Sequence, residues 1–176
     1  MGLYKYSFKA DDRETARAQA FDLDASYKDM SQVLRAMKGL SIKEARKVLD
    51  DIVSKKQPIA YKKFNKHMSH RSQLGGKKGR FPRKEAIIVL RLLKNAEANA
   101  NYRGLNVDEM IVRQGAAYKQ NVLRRYRRVF VNPTVLGYGK QALWANYVTC
   151  RAEITLSKGI SRKAKRKQKY QKKKKV

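Results

Sequence analysis

The sequence predicts an α+β fold, and three observations carry that prediction. Three stretches repeat apolar residues at helical spacing, two of them behind N-terminal capping patterns and one behind a proline. Two later stretches read as strands, with a basic and aromatic run between them. The last residues are mostly Lys and Arg and offer almost nothing apolar to bury. The expected arrangement is three helices, a long extended β-hairpin and a basic C-terminal tail that is disordered when free.

At 176 residues, one domain plus tails is the simplest organisation. Residues 1–14 read as irregular or strand-like, since Tyr4 to Lys9 alternates at period two. The stretch from Thr15 to Leu23 carries Ala16, Ala18 and Ala20 without a clear stop signal, and its element type stays open. Ser26-Tyr27-Lys28-Asp29 resembles a capping box, with Asp in place of Glu. A helix should follow with Met30, Val33, Leu34 and Met37 on one face, closed by a left-handed Gly39. Ser41-Ile42-Lys43-Glu44 is a full capping box. It starts a second helix through Ala45, Val48, Leu49, Ile52 and Val53, with Lys55 and Lys56 in the last turn and Pro58 as the stop.

A polar, basic loop is expected from Lys62 to Arg80, kept supple by Gly75, Gly76 and Gly79. Pro82 sits near the start of a third helix, about 83–101, whose apolar face uses Ala86, Val89, Leu90, Leu93, Ala96 and Ala100. Its alanines permit close packing, and Gly104 stops it. Met110 to Gln114 and Tyr147 to Leu156 read as the hairpin strands, with Asn132-Pro133 and Gly137-Tyr138-Gly139 as turn signals between them. The implied division is 1–111 together with 150–159 as a body, 112–149 as the hairpin and 160–176 as the tail.

Charge narrows the function. Lys and Arg number 43 against 14 Asp and Glu, a net charge of +29. Such self-repulsion is relieved by a polyanion, and each phosphate neutralised also releases a counterion. Between Glu109 and Glu153 there is no acid at all, while Arg124, Arg125, Arg127 and Arg128 come in pairs around Tyr126. Burying so many unanswered cations in a core would cost several kcal/mol each, so this run must meet water or an external polyanion. Guanidinium groups suit phosphates, and Tyr118 and Tyr126 suit unpaired bases. Lys119 belongs to the same arm. Lys62, Lys63, Lys66, Arg71, Lys77, Lys78 and Arg80 in the loop, and Arg162, Lys163, Lys165, Arg166 and Lys167 in the tail, complete the expected RNA contacts.

Other classes find less support. No apolar run nears 18 residues, Tyr6 stands where a myristoylation signal wants Ser or Thr, and no membrane partner is expected. The single Cys150 forms no internal disulfide and reads as a half-buried strand residue. Gly76-Lys77 is followed by Lys78 rather than Ser or Thr, against a phosphate-binding loop for a nucleotide. His67 and His70 have no nearby Cys and make a poor metal pair. Asp50-Asp51 falls on the polar side of the second helix, where a solvated ion-pair role is expected. No nucleophile stands beside a base, so neither a catalytic activity nor a cofactor is expected.

Several pieces together resemble the universal large-subunit ribosomal protein twenty-two family, whose eukaryotic members are called large-subunit protein seventeen. The pieces include Ala16-Arg17-Ala18, Ser26-Tyr27-Lys28, Met37-Lys38-Gly39-Leu40 and Lys63-Phe64-Asn65. The sharpest are Gly79-Arg80-Phe81-Pro82, Leu93 to Ala100 and Gly104 to Asp108, and their order and spacing span most of the chain. The His-containing loop looks like the archaeal and eukaryotic branch. The sequence departs from the family at Phe130-Val131 and in a longer segment from Thr134 to Asn146.

The resemblance implies three helices packed on a small antiparallel sheet. It also implies a structural, cytoplasmic protein of the large ribosomal subunit that binds large-subunit rRNA, with a hairpin reaching the wall of the polypeptide exit tunnel. Neighbouring ribosomal proteins and the nascent chain are the further partners it implies. The competing reading is an architectural DNA- or chromatin-binding protein, which the Lys-rich tail alone fits equally well.

Overall fold

The computed structural model describes residues 5–9, 14–123, 147–162 and 164. Three helices pack on one face of a three-stranded antiparallel sheet, and a second, smaller sheet sits beside them. Strand β1 (Thr15–Leu23) supplies one edge of the larger sheet. Its alternation of alanine with polar residues is what a strand under a close-packed helix requires. Ala16 and Ala18 are buried, and small side chains let the third helix approach.

Helix α1 (Tyr27–Met37) starts where Ser26 Oγ accepts the amide of Asp29 at 3.3 Å. Met30, Val33, Leu34 and Met37 form its buried face as expected, joined by Gln32. Gly39 then turns left-handed, with φ +81°. Helix α2 (Ile42–Val53) carries the expected box: Ser41 and Glu44 each bond the other's backbone amide. Its end differs from expectation. The helix stops at Val53, so Lys55 and Lys56 lie beyond the last turn. Lys55 itself adopts the left-handed cap, φ +60°, and the amides of Lys56 and Gln57 return to Asp51 O. The cation at the helix end comes from elsewhere: Arg83 Nε donates to Val53 O at 2.9 Å.

The segment expected as a loop from Lys62 to Arg80 contains short pairings. Strands β2 (Ile59–Ala60), β3 (His70–Arg71) and β4 (Lys77–Arg80) make a sheet ordered β2-β4-β3, with a 3-10 turn at Ser72–Leu74. Helix α3 (Arg83–Tyr102) follows Pro82 and ends one residue past the expected boundary, with Gly104 left-handed after it. Leu90 is only half-buried, and Leu92 takes the core position instead.

Strands β5 (Met110–Leu123) and β6 (Tyr147–Lys158) run longer than their sequence signals. The sheet order is β1-β6-β5, so the hairpin base and the expected small sheet are one object. As the central strand, β6 buries Cys150 completely, where a half-buried residue was expected. The connection between α1 and α2 also pairs with β5: Gly39 N donates to Val112 O and Val112 N to Leu40 O. That covers the first part of an edge strand that would otherwise offer unpaired amides. The turn signals at 132–133 and 137–139 lie outside the described residues.

Candidate nucleic-acid interface

The basic loop is held from beneath by α1. Tyr61 is buried, and its hydroxyl donates to Asp29 Oδ1 at 2.8 Å. Burial, and then that carboxylate, push the Tyr61 phenol well above its ordinary range. Gln32, also buried, accepts the amides of Lys62 at 3.2 Å and Lys63 at 3.4 Å on one side-chain oxygen. The loop backbone is thereby fixed while its cations point out.

Lys62, Lys63, Lys66, Lys77 and Arg80 are exposed, and Lys78 is half-buried. Arg71 is also half-buried: Nε donates to Gly79 O at 3.3 Å, and the guanidinium carbon lies 5.6 Å from the centre of the Phe81 ring. His70 Nδ1 sits 2.5 Å from Gly76 O, which requires the ring proton on that nitrogen. No acid occurs between Asp51 and Glu85. The loop is thus a single-sign surface on a rigid base, the arrangement a phosphate backbone calls for.

The hairpin base presents a different chemistry. Lys119 is exposed on β5. Tyr118 is half-buried, with the Arg151 guanidinium 4.7 Å from its ring centre and its hydroxyl 3.4 Å from Glu153 Oε1. Glu153 is 3% exposed and also accepts from the amide and hydroxyl of Ser7. Arg17 lies 4.7 Å from the Tyr6 ring on the same side. The open face of the sheet is therefore a network of arginine, tyrosine and one buried carboxylate. Asp22, left-handed at φ +48°, ties β1 to the hairpin through Asn121 Nδ2 at 2.6 Å and Thr149 Oγ1 at 3.3 Å. Neither arrangement was visible in the sequence, because each is closed by contacts between distant residues, Ser7 with Glu153 in the first and Asp22 with Asn121 and Thr149 in the second.

Arg162 is exposed, and its amide donates to Gly39 O at 2.6 Å, so the tail departs from the α1–α2 corner. Arg124, Arg125, Tyr126, Arg127, Arg128, Lys163, Lys165, Arg166 and Lys167 lie outside the described residues.

An open groove beside α2 holds charges of both signs, in the ion pairs Lys43–Asp108 at 2.9 Å and Arg46–Glu97 at 2.5 Å. Asp50 is exposed on its rim. Surface pairs of this kind contribute at most about 1 kcal/mol, and no nucleophile faces a base there. Among the described residues no His, Cys, Asp and Glu cluster could hold a metal, and no helix is long and apolar enough to cross a membrane.

The family model of ribosomal protein L22p/L17e matches residues 18–129, from β1 through the far end of β5 and beyond. The chain belongs to this family. Among its relatives, the large ribosomal subunit protein uL22 of Archaeoglobus fulgidus is 38% identical over 128 residues, covering 72% of this chain and 83% of that protein. Its counterpart in Thermofilum pendens is 40% identical over 126 residues, with the same coverage. That of Methanocaldococcus jannaschii is 32% identical over 127 residues, covering 72% and 81%. The expected family and its archaeal and eukaryotic branch are borne out, with these relatives all archaeal. Membership carries a structural, non-enzymatic role in the ribosome.

Proposed function

We propose that this chain is a structural constituent of the large ribosomal subunit, in the cytoplasm, that binds large-subunit rRNA and extends its hairpin to the wall of the polypeptide exit tunnel. The observation that carries this reading is the β5–β6 ladder. It runs from Met110 opposite Lys158, through the packed core at Val112 opposite Leu156, to Leu123 opposite Tyr147. At that outer end Val122 and Leu123 stand exposed. A ladder that outruns its own core leaves apolar residues in water unless another surface receives them. The residues that come next include Arg124, Arg125, Arg127 and Arg128, which favours RNA as that surface.

The three expected units then have separate tasks. The body, 1–111 with 150–159, holds the chain on rRNA through Lys62, Lys63, Lys77 and Arg80. The arm, 112–149, shares the sheet at its base and threads between rRNA elements beyond it, beside neighbouring ribosomal proteins and toward the nascent chain. The tail, 160–176, adds sequence-independent phosphate contacts through Arg162, Lys163, Lys165, Arg166 and Lys167.

Gradient sedimentation of cell extract before and after a high-salt wash tests the reading. Contacts made by exposed cations alone weaken steeply with salt, whereas a threaded arm is also held by shape. Retention with the large subunit through the wash is expected. Release at moderate salt, with duplex DNA competing equally well, would put the architectural DNA-binding reading ahead.

A further inference from the structure

Phe64 is 45% exposed near the start of the basic loop. Single exposed apolar residues are ordinary on protein surfaces, but three features set this one apart. First, its backbone is left-handed, φ +56°, and so is that of His67, φ +55°. Bulky side chains rarely adopt this conformation, which costs energy that the surrounding structure must supply. Second, the ring is positioned. The Tyr27 ring meets it edge-on, with centroids 6.2 Å apart at 78°, and Lys28 Nζ lies 5.7 Å from its centre. Third, the chain leading into it is pinned: the Lys62 and Lys63 amides share Gln32 Oε1, and Tyr61 is anchored to Asp29.

A strained backbone thus holds a rigid aromatic ring outward among Lys28, Lys62, Lys63 and Lys66, all exposed. The ring offers a π-face and the lysines offer phosphate contacts, which are the two halves of single-stranded nucleic-acid recognition. Resting on the rRNA-binding reading above, we infer that Phe64, buttressed by Tyr27, is a stacking platform for one unpaired RNA base, with Lys63 and Lys66 on the flanking phosphates. A paired base cannot use it, because its faces are already stacked within the helix. Stacking on an aromatic ring discriminates little between bases, so the site selects unpaired structure rather than sequence.

The full-length protein is tested against a 12-nucleotide oligoadenylate and an abasic ribose-phosphate strand of equal length. Phe64→Leu keeps apolar bulk at a half-exposed position and is expected to melt within a few degrees of the parent. It should bind oligoadenylate about tenfold more weakly and the abasic strand as the parent does. Phe64→Trp should keep the difference between the two strands. Lys63→Gln with Lys66→Gln should weaken both strands alike. A central 5-iodouridine in the oligomer, photo-activated on the unsubstituted protein, should leave its adduct on the peptide that contains Phe64. Equal binding of parent and Phe64→Leu, with adducts only on other peptides, overturns the platform and leaves the RNA reading standing. Failure of the parent to bind either strand overturns both.

Discussion

Gly79 occupies the most crowded glycine position in the basic loop. A Cβ built there lies 2.5 Å from Ile59 O and even closer to Leu74 Cδ1. The Leu74 side chain can rotate away. The Ile59 carbonyl cannot, because Ile59 pairs with Arg80 and Ala60 with Gly79 in the small sheet. Relieving the contact requires about 1 Å of movement between β2 and β4, since real Cβ contacts lie near 3.4 Å and beyond. Overpacking of this kind costs about 1–3 kcal/mol. Losing the Tyr61 N to Lys78 O bond, 3.0 Å, adds about 1 kcal/mol. Gly79→Ala should therefore destabilise by about 2–4 kcal/mol, a fall in Tm of about 4–15 °C at this size. Gly75→Ala is the control. Open space surrounds that position, so only its left-handed φ of +62° is penalised, by about 1–2 kcal/mol. Urea denaturation gives the stabilities, and hydrogen exchange at the Tyr61 amide shows whether β2 has left β4. Equal stability in the two variants, with the Tyr61 amide still protected in Gly79→Ala, would refute the steric reasoning.

Three further outcomes follow from the same geometry. Ser41→Ala removes the side-chain half of the α2 capping box and should cost about 1 kcal/mol in chemical denaturation; an unchanged midpoint would mean Glu44 suffices. The Tyr61 phenol is raised by burial and then by Asp29, so its stabilisation is fully present below the unfolded value near pH 10 and is lost as the pH climbs above it. The parent should lose stability above pH 10 more steeply than Tyr61→Phe, and parallel alkaline limbs would contradict that. Burial lifts the Cys150 thiol to about 11, so a thiol reagent at pH 8 should label the native protein far more slowly than the protein in urea; equal rates would place Cys150 at the surface.

The helices were legible because their signals are local. A capping serine, apolar residues three and four apart and a terminal glycine all act within one or two turns, and α1 and α2 start where those signals stand. The end of α2 was not, because the cation at its last carbonyls is Arg83, thirty residues on. The element type of Thr15–Leu23 stayed open for a similar reason. Alanine favours a helix in isolation, and only pairing with β6 and the approach of α3 make a strand the better use of it. In the interface the cations of the loop were plain from charge alone. Phe64 stood within the family pattern without a role, because its left-handed backbone and its contact with Tyr27 depend on how the loop folds over α1.

By itself the sequence determined the charge of +29, the helix starts, the paired strands around an acid-free arm and membership of a ribosomal protein family. These rest on composition, on short-range periodicity and on ordered short motifs, none of which requires knowing what lies across the fold. Only the tertiary structure decided that β6 runs between β1 and β5, that Cys150 and Glu153 are buried, and that Gln32 and Asp29 pin the basic loop. Each of these depends on residues far apart in sequence meeting through packing, and the free energy of packing belongs to the assembled core rather than to any one stretch of chain.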